Sequence, residues 1–326
     1  MKTEIETSMP AATEPLLSSF AIDVAEGLLR PGQKKIPPRY FYDDLGSSLF
    51  EAITCLPEYA LTRTDTGLLK RYAGNIARAA KAANITELGS GNGAKARFVL
   101  EALARKRSRP AYYPVDVSES ALASCRHLLA TVADVQPVRA DWIDGLEFVV
   151  SRRDPGEALL VLFLGSSIGN LDRGEIPVFL RHIRSLLQAG DTLLVGADLV
   201  KDVETMLLAY DDPAGVTAAF NLNLLGRINR ELGAEFDLRS FAHEVRWNAD
   251  ERRIEMHLLS QQNQKVYVRA LEAEIAFRAG ETIWTESSHK FTANELNRFA
   301  REAGFAPFEM WIDRDWPFAE ALWRVD

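Results

Sequence analysis

Cysteine is scarce in this sequence, with two residues, Cys55 and Cys125, among 326. Two cysteines this far apart provide neither a disulfide framework nor the spacing of a metal site. The five histidines also lack metal-ligand spacing, so we expect no bound metal. This cysteine usage fits a reducing compartment, and we expect the protein in the cytoplasm.

Long apolar runs are also missing. No stretch reaches the roughly 18 consecutive apolar residues that suggest a membrane-spanning helix. Residues 1–19 carry acids and prolines and lack the apolar core of a signal peptide. We therefore expect no membrane partner.

Positive charge is in deficit, because 38 lysines and arginines stand against 46 aspartates and glutamates, which gives a net charge of −8. A nucleic-acid surface needs clustered lysine and arginine, so we expect no nucleic-acid partner. The hydrophobic content of 47% supports a large core, and the length suggests about two domains. We expect a monomer.

A stretch rich in glycine, residues 89–93, lies between a short strand-like segment and a run with helical apolar spacing. Glycine allows positive φ and a close approach of the backbone to a ligand, and the following helix presents unpaired N–H groups. The pattern predicts a nucleotide-binding turn that includes Gly89 and Gly91. By itself it also matches a loose dinucleotide fingerprint or an ordinary tight turn.

Acidic residues end the next two predicted strands. The run 111–115 leads to Asp116, at the distance where a doubly wound fold places a ribose-binding carboxylate. The run 137–140 leads to Asp141 and Trp142, which suit an adenine amino group beside a stacking face. Taken singly, each acid could equally be a helix cap or part of a surface turn. Together with the glycine stretch, they predict an adenosine site.

The pattern changes after residue 200. Residues 206–233 predict a long helical region, and the runs 253–260 and 265–277 alternate as antiparallel strands do. Thr292 and Glu295 have the spacing of a capping box and predict the start of a helix. Two strand-like runs then predict a closing hairpin.

A mostly parallel sheet closed by such a hairpin resembles the class I S-adenosylmethionine-dependent methyltransferase core. We predict an α/β fold with this Rossmann-like core, a C-terminal antiparallel hairpin and a second α+β domain that binds substrate. The predicted boundaries are 62–200 and 291–326 for the methyltransferase domain, and 15–61 and 201–290 for the substrate domain.

Several long motifs resemble the histidine Nα-methyltransferase family, and the resemblance extends from about Leu16 to Val325. The stretches that carry it are Tyr40-Phe41-Tyr42-Asp43-Asp44-Leu45-Gly46-Ser47, Leu56-Pro57-Glu58-Tyr59, Glu87-Leu88-Gly89-Ser90-Gly91, Phe163-Leu164-Gly165-Ser166-Ser167-Ile168-Gly169-Asn170, Ala209-Tyr210-Asp211-Asp212, Phe220-Asn221-Leu222-Asn223-Leu224-Leu225 and Thr285-Glu286-Ser287-Ser288-His289-Lys290.

The resemblance implies an S-adenosylmethionine site in the first half of the chain. The implied contacts, with Gly91 added from the glycine stretch, are Gly89, Gly91, Lys95, Asp116, Asp141 and Trp142. Many members have phenylalanine where Trp142 stands, and this difference preserves an aromatic surface.

The resemblance also implies an amino-acid site. The residues that it assigns to the substrate are Tyr59, Asn170, Tyr210, Met256, Glu286 and Ser288. Tyr42 is expected near the amine, so Tyr42 and Asn170 are the predicted catalytic residues. The family's second tyrosine after Pro57-Glu58 is replaced by Ala60, which leaves the substrate tyrosine at Tyr59.

The implied reaction is methyl transfer from S-adenosylmethionine to the α-amine of L-histidine, giving Nα,Nα,Nα-trimethylhistidine (hercynine), the first step of ergothioneine biosynthesis. The chemistry of the residues agrees, since the Asn170 oxygen can accept from an amine and a Glu286 carboxylate can accept from an imidazole N–H.

Two alternatives remain: a related enzyme that methylates another amino acid such as tryptophan, and a nucleotide-binding module without catalysis. Glu286 and Met256 argue against an indole pocket, and the intact site residues argue against a module without catalysis. The antiparallel strands predicted after residue 200 and the closing hairpin argue against a nicotinamide oxidoreductase.

Overall fold

The computed structural model describes residues 18–105, 109–154 and 156–326, so residues 15–17 of the predicted substrate domain lie outside the described part. The α-helices of the described part are α1 (Ser19–Leu29), α2 (Asp44–Thr54), α3 (Ala60–Ala80), α4 (Ala96–Ala104), α5 (Glu119–Leu129), α6 (Trp142–Arg152), α7 (Ile176–Leu186), α8 (Val203–Tyr210), α9 (Val216–Leu232) and α10 (Ala293–Glu302). Short 3₁₀ helices are Pro38–Phe41, Ser167–Asn170, Leu238–Ser240 and Arg269–Leu271. The strands are β1 (Lys34–Lys35), β2 (Asn84–Leu88), β3 (Ala111–Asp116), β4 (Asp134–Val135), β5 (Val138–Arg139), β6 (Leu159–Phe163), β7 (Thr192–Asp198), β8 (Phe241–Asn248), β9 (Arg253–Ser260), β10 (Gln264–Val268), β11 (Ala273–Phe277), β12 (Thr282–His289), β13 (Ala306–Asp313) and β14 (Phe318–Arg324).

The larger sheet has the strand order β13-β14-β7-β6-β2-β3-β4, and β5 pairs with β3. Strands β7, β6, β2 and β3 are parallel neighbours. Strand β14 runs antiparallel to both β7 and β13. The predicted α/β class, with a mostly parallel sheet and a C-terminal antiparallel hairpin, is confirmed.

The central strand β6 is apolar throughout because both of its faces are covered. Leu159, Val161 and Phe163 pack in one hydrophobic cluster with residues of α6, α7 and α10. Leu160 and Leu162 pack in another cluster with residues of α3 and α4. This alternation is that of a strand in a parallel sheet with helices on both faces.

A second sheet has the order β1-β12-β9-β8, with β9 antiparallel to both neighbours. Strands β10 and β11 form a separate antiparallel pair. The antiparallel strands predicted in 253–260 and 265–277 are confirmed. Strand β8 was not predicted, since all its residues except Phe241 are half-buried and leave a weak alternation. The cluster on this sheet draws residues from 20–61 and 206–283.

The prediction of one helical region over 206–233 is wrong, because the region divides into α8 and α9. Pro213 lacks the N–H that an uninterrupted helix requires. The Asp212 carboxylate accepts hydrogen bonds from the first two N–H groups of α9, and Gly215 has a φ of 72°. The break places Tyr210, one of the predicted substrate residues, at the end of α8.

The capping box predicted for α10 is confirmed. The Thr292 side chain accepts from the Glu295 N–H, and the Glu295 carboxylate accepts from the Thr292 N–H. Both bonds satisfy donors that a helix start leaves unpaired. They begin α10 directly after β12, the strand that carries Glu286 and Ser288.

Candidate active site

The glycine stretch forms the turn between β2 and α4, at the carboxyl end of the parallel strands. Gly89, Gly91 and Gly93 have φ values of 73°, 54° and 72°, which other residues rarely adopt. A Cβ on Gly89 would lie 3.1 Å from Nε1 of Trp142. The turn is therefore a cradle that a side chain would fill, and it suits the close backbone approach of a nucleoside such as that of S-adenosylmethionine.

Asp116, at the end of β3, holds this turn. Its Oδ2 accepts from the N–H of Gly91 at 2.8 Å, and its Oδ1 accepts from the N–H of Ser118 at 2.9 Å. Each carboxylate oxygen has a further lone pair. The structure thus brings Asp116 and Gly91 together, and the carboxylate retains acceptors for ribose hydroxyls.

Asp141 and Trp142 lie at the start of α6, and the strand predicted before them is reduced to the two residues of β5. Asp141 Oδ1 accepts from two N–H groups in the first turn of α6, both at 3.1 Å, which makes it the N-cap. Its Oδ2 remains available to a ligand. Trp142 packs edge-on against Phe163, with 4.9 Å between ring centroids, which positions the indole beside Gly89.

Lys95 forms an ion pair that sequence reasoning missed. Its Nζ lies 3.0 Å from Oδ2 of Asp65, a fully buried residue of α3. The same oxygen accepts from the N–H of Gly165 at 2.9 Å. Asp65 thereby joins α3 to the glycine turn and to the loop after β6. An isolated acid within a helical pattern gives no sequence signal for such a role.

Two more buried carboxyl groups lie near this ion pair, Glu87 on β2 and Glu320 on β14. Burial raises the pKa of Glu87 to about 7, although a hydrogen bond from Tyr112 opposes the shift. Burial, together with nearby Asp65, raises the pKa of Glu320 well above the usual carboxyl range. Lys95 lowers the pKa of both glutamates and limits these shifts.

We expect Glu87→Gln to stabilise the ligand-free protein at pH 8. The pKa of Glu87 is about 7 in the folded state against 4.5 for the free side chain. The folded state therefore binds this proton more tightly, and stability falls as pH rises between these values, by about 3 kcal/mol in total. We expect the variant to recover about 2 kcal/mol, since glutamine stays neutral but packs imperfectly.

Urea unfolding at pH 5 and pH 8 measures this effect. Glu302→Gln, at the exposed end of α10, is the matched control and should leave the pH dependence unchanged. A Glu87→Gln protein that loses as much stability between pH 5 and pH 8 as the wild type would contradict the prediction.

The predicted substrate tyrosines, Tyr59 and Tyr210, and the predicted catalytic Tyr42 come from three separate segments and meet in one aromatic group. Tyr59, just before α3, lies with its ring centroid 6.0 Å from that of Tyr210 at the end of α8. Tyr42 packs edge-on against Phe50 and Phe220, at 5.6 Å and 5.9 Å. Phe50 also contacts Tyr59, at 6.4 Å, so the five rings are continuous.

Strand β12 carries Glu286 and Ser288 on one face, as alternate residues of a strand require. Glu286 pairs with Met256 across β9, which puts the thioether beside the carboxylate. A register shift between Trp284 and Glu286 inserts Thr285 as a bulge, and such a bulge changes the direction of the side chains that follow. The local sequence contains no signal for this bulge.

Polar contacts join Tyr210 to β12. The Tyr210 hydroxyl and Ser288 Oγ lie 2.7 Å apart. Asn170 ends the 3₁₀ helix after β6, and His289 Nδ1 lies 3.0 Å from the carbonyl oxygen of Gly169. This contact brings the end of the larger sheet against β12, so Asn170 and Ser288 lie in neighbouring segments.

The charge of Glu286 acts on the pKa of all three tyrosines. Burial raises the pKa of Tyr42, Tyr59 and Tyr210 well above the usual tyrosine value, and the Glu286 carboxylate raises each of them further. The phenols therefore stay protonated at neutral pH. Burial also raises the pKa of Glu286 itself to about 7, with Lys290 opposing the shift.

Four of the predicted side chains, those of Tyr42, Tyr59, Asn170 and Glu286, make no hydrogen bond to any described residue. The side chains of Arg63 and Trp284 donate to the backbone oxygens of Tyr59 and Glu286 and not to their side chains. Tyr42, Asn170 and Glu286 are half-buried and Tyr59 is buried. Their polar ends converge and remain available, which marks a candidate site for a polar ligand.

Neither a metal centre nor a membrane span is found in 18–105, 109–154 and 156–326. No group of three or more histidine, cysteine or acidic side chains there could hold a metal ion. No helix there is long and apolar enough to cross a membrane.

Comparison with known proteins extends these observations. Residues 20–325 match the family model "Histidine-specific methyltransferase, SAM-dependent". The chain is 42% identical to histidine N-alpha-methyltransferase of Mycolicibacterium smegmatis, over 95% of this chain and 96% of that protein. It is 40% identical to histidine N-alpha-methyltransferase of Mycobacterium tuberculosis, over 92% and 93%. It is 32% identical to ergothioneine biosynthesis protein 1 of Schizosaccharomyces pombe, over 76% of this chain and 33% of that protein.

The family model covers nearly every described element, from α1 to β14. Its match includes both the glycine turn, which suits S-adenosylmethionine, and the polar group around Glu286. The chain therefore belongs to the family of histidine-specific, S-adenosylmethionine-dependent methyltransferases.

Proposed function

We propose that the protein transfers methyl groups from S-adenosylmethionine to the α-amine of L-histidine, giving Nα,Nα,Nα-trimethylhistidine in the first step of ergothioneine biosynthesis. One observation carries the proposal. Glu286 has no side-chain hydrogen bond to a described residue and shares its strand face with the hydroxyl of Ser288. A carboxylate acceptor beside a hydroxyl donor matches a ring that has one N–H and one bare nitrogen, as imidazole has. The names of the relatives support the same substrate.

The glycine turn is proposed to hold the cofactor. The backbone at Gly89 and Gly91 would contact it closely, and Asp116 would accept from its ribose. Asp141 Oδ2 and the Trp142 indole would bind the adenine. Lys95, which is paired with Asp65, would hold the end of the glycine turn where α4 begins. When bound, S-adenosylmethionine supplies an electrophilic methyl group on a sulfonium.

Asn170 is proposed to position the nucleophile. Its side-chain oxygen would accept a hydrogen bond from the α-amine at the carboxyl end of β6. Tyr59, which keeps its proton, would donate to the substrate carboxylate, and Tyr210 would act on the substrate through its hydrogen-bonded pair with Ser288. A free α-amine has a pKa of roughly 8, so a fraction is neutral at pH 7 without a strong base. Orientation and exclusion of water are then the main tasks of the protein.

The aromatic group suits the product as well as the substrate. Each methylation adds bulk to the nitrogen, and the third leaves a fixed positive charge. The faces of Tyr42, Phe50, Tyr59, Tyr210 and Phe220 provide the surface with which such a cation interacts favourably.

We expect Tyr42→Phe to lower kcat by about tenfold, the effect of about 1.4 kcal/mol from one lost hydrogen bond. Because burial keeps the pKa of Tyr42 high, its phenol acts as a neutral hydrogen-bonding group toward the amine, through water, and not as a phenolate base. Rate measurements from pH 6 to pH 9 test this role.

The matched control is Tyr40→Phe, two residues away. Tyr40 is buried but donates to Asp23, outside the site. We expect its removal to reduce stability and leave kcat unchanged. An unchanged rate and pH profile in Tyr42→Phe would remove Tyr42 from the mechanism.

Mass spectrometry tests the function directly. Purified protein is incubated with S-adenosylmethionine and each of the twenty amino acids in parallel. We expect a gain of three methyl groups on histidine alone. Gain on tryptophan or another amino acid would preserve the cofactor and overturn the substrate, and no gain on any would favour a module without catalysis.

The proposal includes a division of labour within one chain. Residues 62–200 and 291–326 would bind the cofactor, and residues 15–61 and 201–290 would bind histidine. The proposed site takes its residues from both parts of the same chain, which supports a monomer, and light scattering would measure this. The free thiols of Cys55 and Cys125 suit the reducing cytoplasm.

A further inference from the structure

A buried lysine that the proposed mechanism does not use contacts the hydroxyls of Tyr210 and Ser288, two residues of the proposed substrate site. Lys290 follows β12 and is fully buried. Its Nζ donates to the Tyr210 hydroxyl and to Ser288 Oγ, both at 2.9 Å. It also forms an ion pair with Asp198, with 2.9 Å between Nζ and Oδ2. A cation enclosed in this way needs such partners to stay charged.

The directions of these hydrogen bonds follow from the chemistry of the ammonium group. Lysine only donates, so the oxygens of Tyr210 and Ser288 both accept from Lys290. The two hydroxyls lie 2.7 Å apart, and one of their two hydrogens is used between them. One hydroxyl hydrogen remains. The pair therefore presents a single donor to whatever lies in front of it.

We propose that Lys290 is a positioning residue that commits the Tyr210–Ser288 pair to donate one hydrogen bond to an acceptor atom of the substrate. Glu286, on the same strand face, accepts a hydrogen. The site then selects a ring that donates at one atom and accepts at another, which is neutral imidazole. An indole has an N–H but no acceptor nitrogen, and it would leave the hydroxyl hydrogen unpaired.

Lys201 provides a matched comparison. Its Nζ binds the other oxygen of Asp198, at 2.5 Å, and the carbonyl oxygen of Leu199, at 2.7 Å. Its Nζ lies 4.7 Å from the ring centroid of Trp316, and its hydrogen bonds to described residues include neither Tyr210 nor Ser288. The two lysines therefore share a carboxylate partner but differ in their access to the substrate hydroxyls.

The inference rests on the proposed histidine methylation, and steady-state kinetics of Lys290→Met and Lys201→Met test it. We expect Lys290→Met to raise the KM for histidine by about 30-fold, the size of effect typical of a lost charged hydrogen-bond donor. Its affinity for S-adenosylhomocysteine, measured by calorimetry, should stay within about twofold of the wild type. Lys201→Met should leave both quantities unchanged.

A double-mutant cycle separates positioning from simple packing. In a Tyr210→Phe, Ser288→Ala background, Lys290 has no hydroxyls to orient, so adding Lys290→Met should change KM by less than about twofold. If the effect of Lys290→Met is as large in that background as in the wild type, Lys290 does not act through the hydroxyls and the inference is overturned.

Lys290→Gln covers the case in which Lys290→Met does not fold. The glutamine amide can still donate to both hydroxyl oxygens, and we expect a KM for histidine within about threefold of the wild type. A 30-fold rise in Lys290→Gln, or a wild-type KM in folded Lys290→Met, would overturn the inference. A wild-type protein that does not methylate histidine would instead overturn the proposed function.

Discussion

Glu286→Ala lowers kcat/KM for histidine by about 100-fold, the result we expect from removing about 3 kcal/mol of hydrogen bonding to a charged group. The carboxylate makes no side-chain hydrogen bond to the described residues and lies beside Met256 and the Ser288 hydroxyl. Its loss leaves the imidazole N–H of the bound substrate without this acceptor. Affinity for S-adenosylhomocysteine should not change, because the glycine turn is intact.

Glu286→Gln is the matched variant, because it retains an oxygen acceptor and the side-chain volume. We expect a loss of about tenfold, from the weaker neutral hydrogen bond. Full activity of Glu286→Ala on histidine, with unchanged KM, would contradict the role of this carboxylate.

The pH dependence provides a second readout of Glu286. Burial raises its pKa to about 7, so the group gains a proton and loses its acceptor as pH falls through 7. The α-amine, with a pKa of roughly 8, makes kcat/KM fall with pH in both proteins. We expect Glu286 to add a second fall near pH 7 in the wild type, which Glu286→Gln should lack, so that the next ionisation is that of the substrate imidazole at roughly pH 6.5. The same profile below pH 8 in both proteins would show that Glu286 does not titrate in the active site.

Asp116→Ala weakens S-adenosylmethionine binding by about 100-fold. The variant loses the acceptor that holds the N–H of Gly91 at 2.8 Å and the proposed acceptor for the ribose hydroxyls. Two charge-assisted hydrogen bonds of this kind amount to about 3 kcal/mol. Calorimetry with S-adenosylhomocysteine measures the change, and KM for histidine at saturating cofactor should remain near the wild-type value.

Asp237→Ala is the control for this substitution. Like Asp116, Asp237 is a carboxylate that accepts from a backbone N–H, in this case that of Arg239, and it accepts from the Ser240 hydroxyl as well. It lies before β8 and outside the proposed cofactor site. We expect a small loss of stability, of about 1 kcal/mol, and unchanged cofactor affinity. An Asp116→Ala protein that binds the cofactor as tightly as Asp237→Ala would show that Asp116 does not bind it.

The elements that sequence patterns predicted correctly are those set by neighbouring residues. The glycine turn at 89–93, the capping box of Thr292 and Glu295, and the C-terminal hairpin all depend on short stretches of chain. Backbone freedom, a side-chain cap and strand alternation act within a few residues of their origin.

The predictions that failed were those in which a local signal was misread. Pro213 and Gly215 interrupt 206–233, although the apolar spacing continues on both sides. The strand predicted over 137–140 is shortened to Val138 and Arg139, and Asp141 is the N-cap of α6. The cap uses only Oδ1 of Asp141, so the cofactor role of this residue stays a prediction.

By itself, the sequence determined the family, the class of the fold and the cofactor turn, because each of these depends on motifs that are continuous in the chain. Only the tertiary structure brought Lys95 to Asp65 and Lys290 to Tyr210, pairs that are 30 and 80 residues apart. A lysine or an aspartate is equally at home on a solvated surface, so its sequence context does not reveal its partner. Burial determines the partner, because a charge removed from water must be paired. Which groups are buried together depends on how the sheets pack.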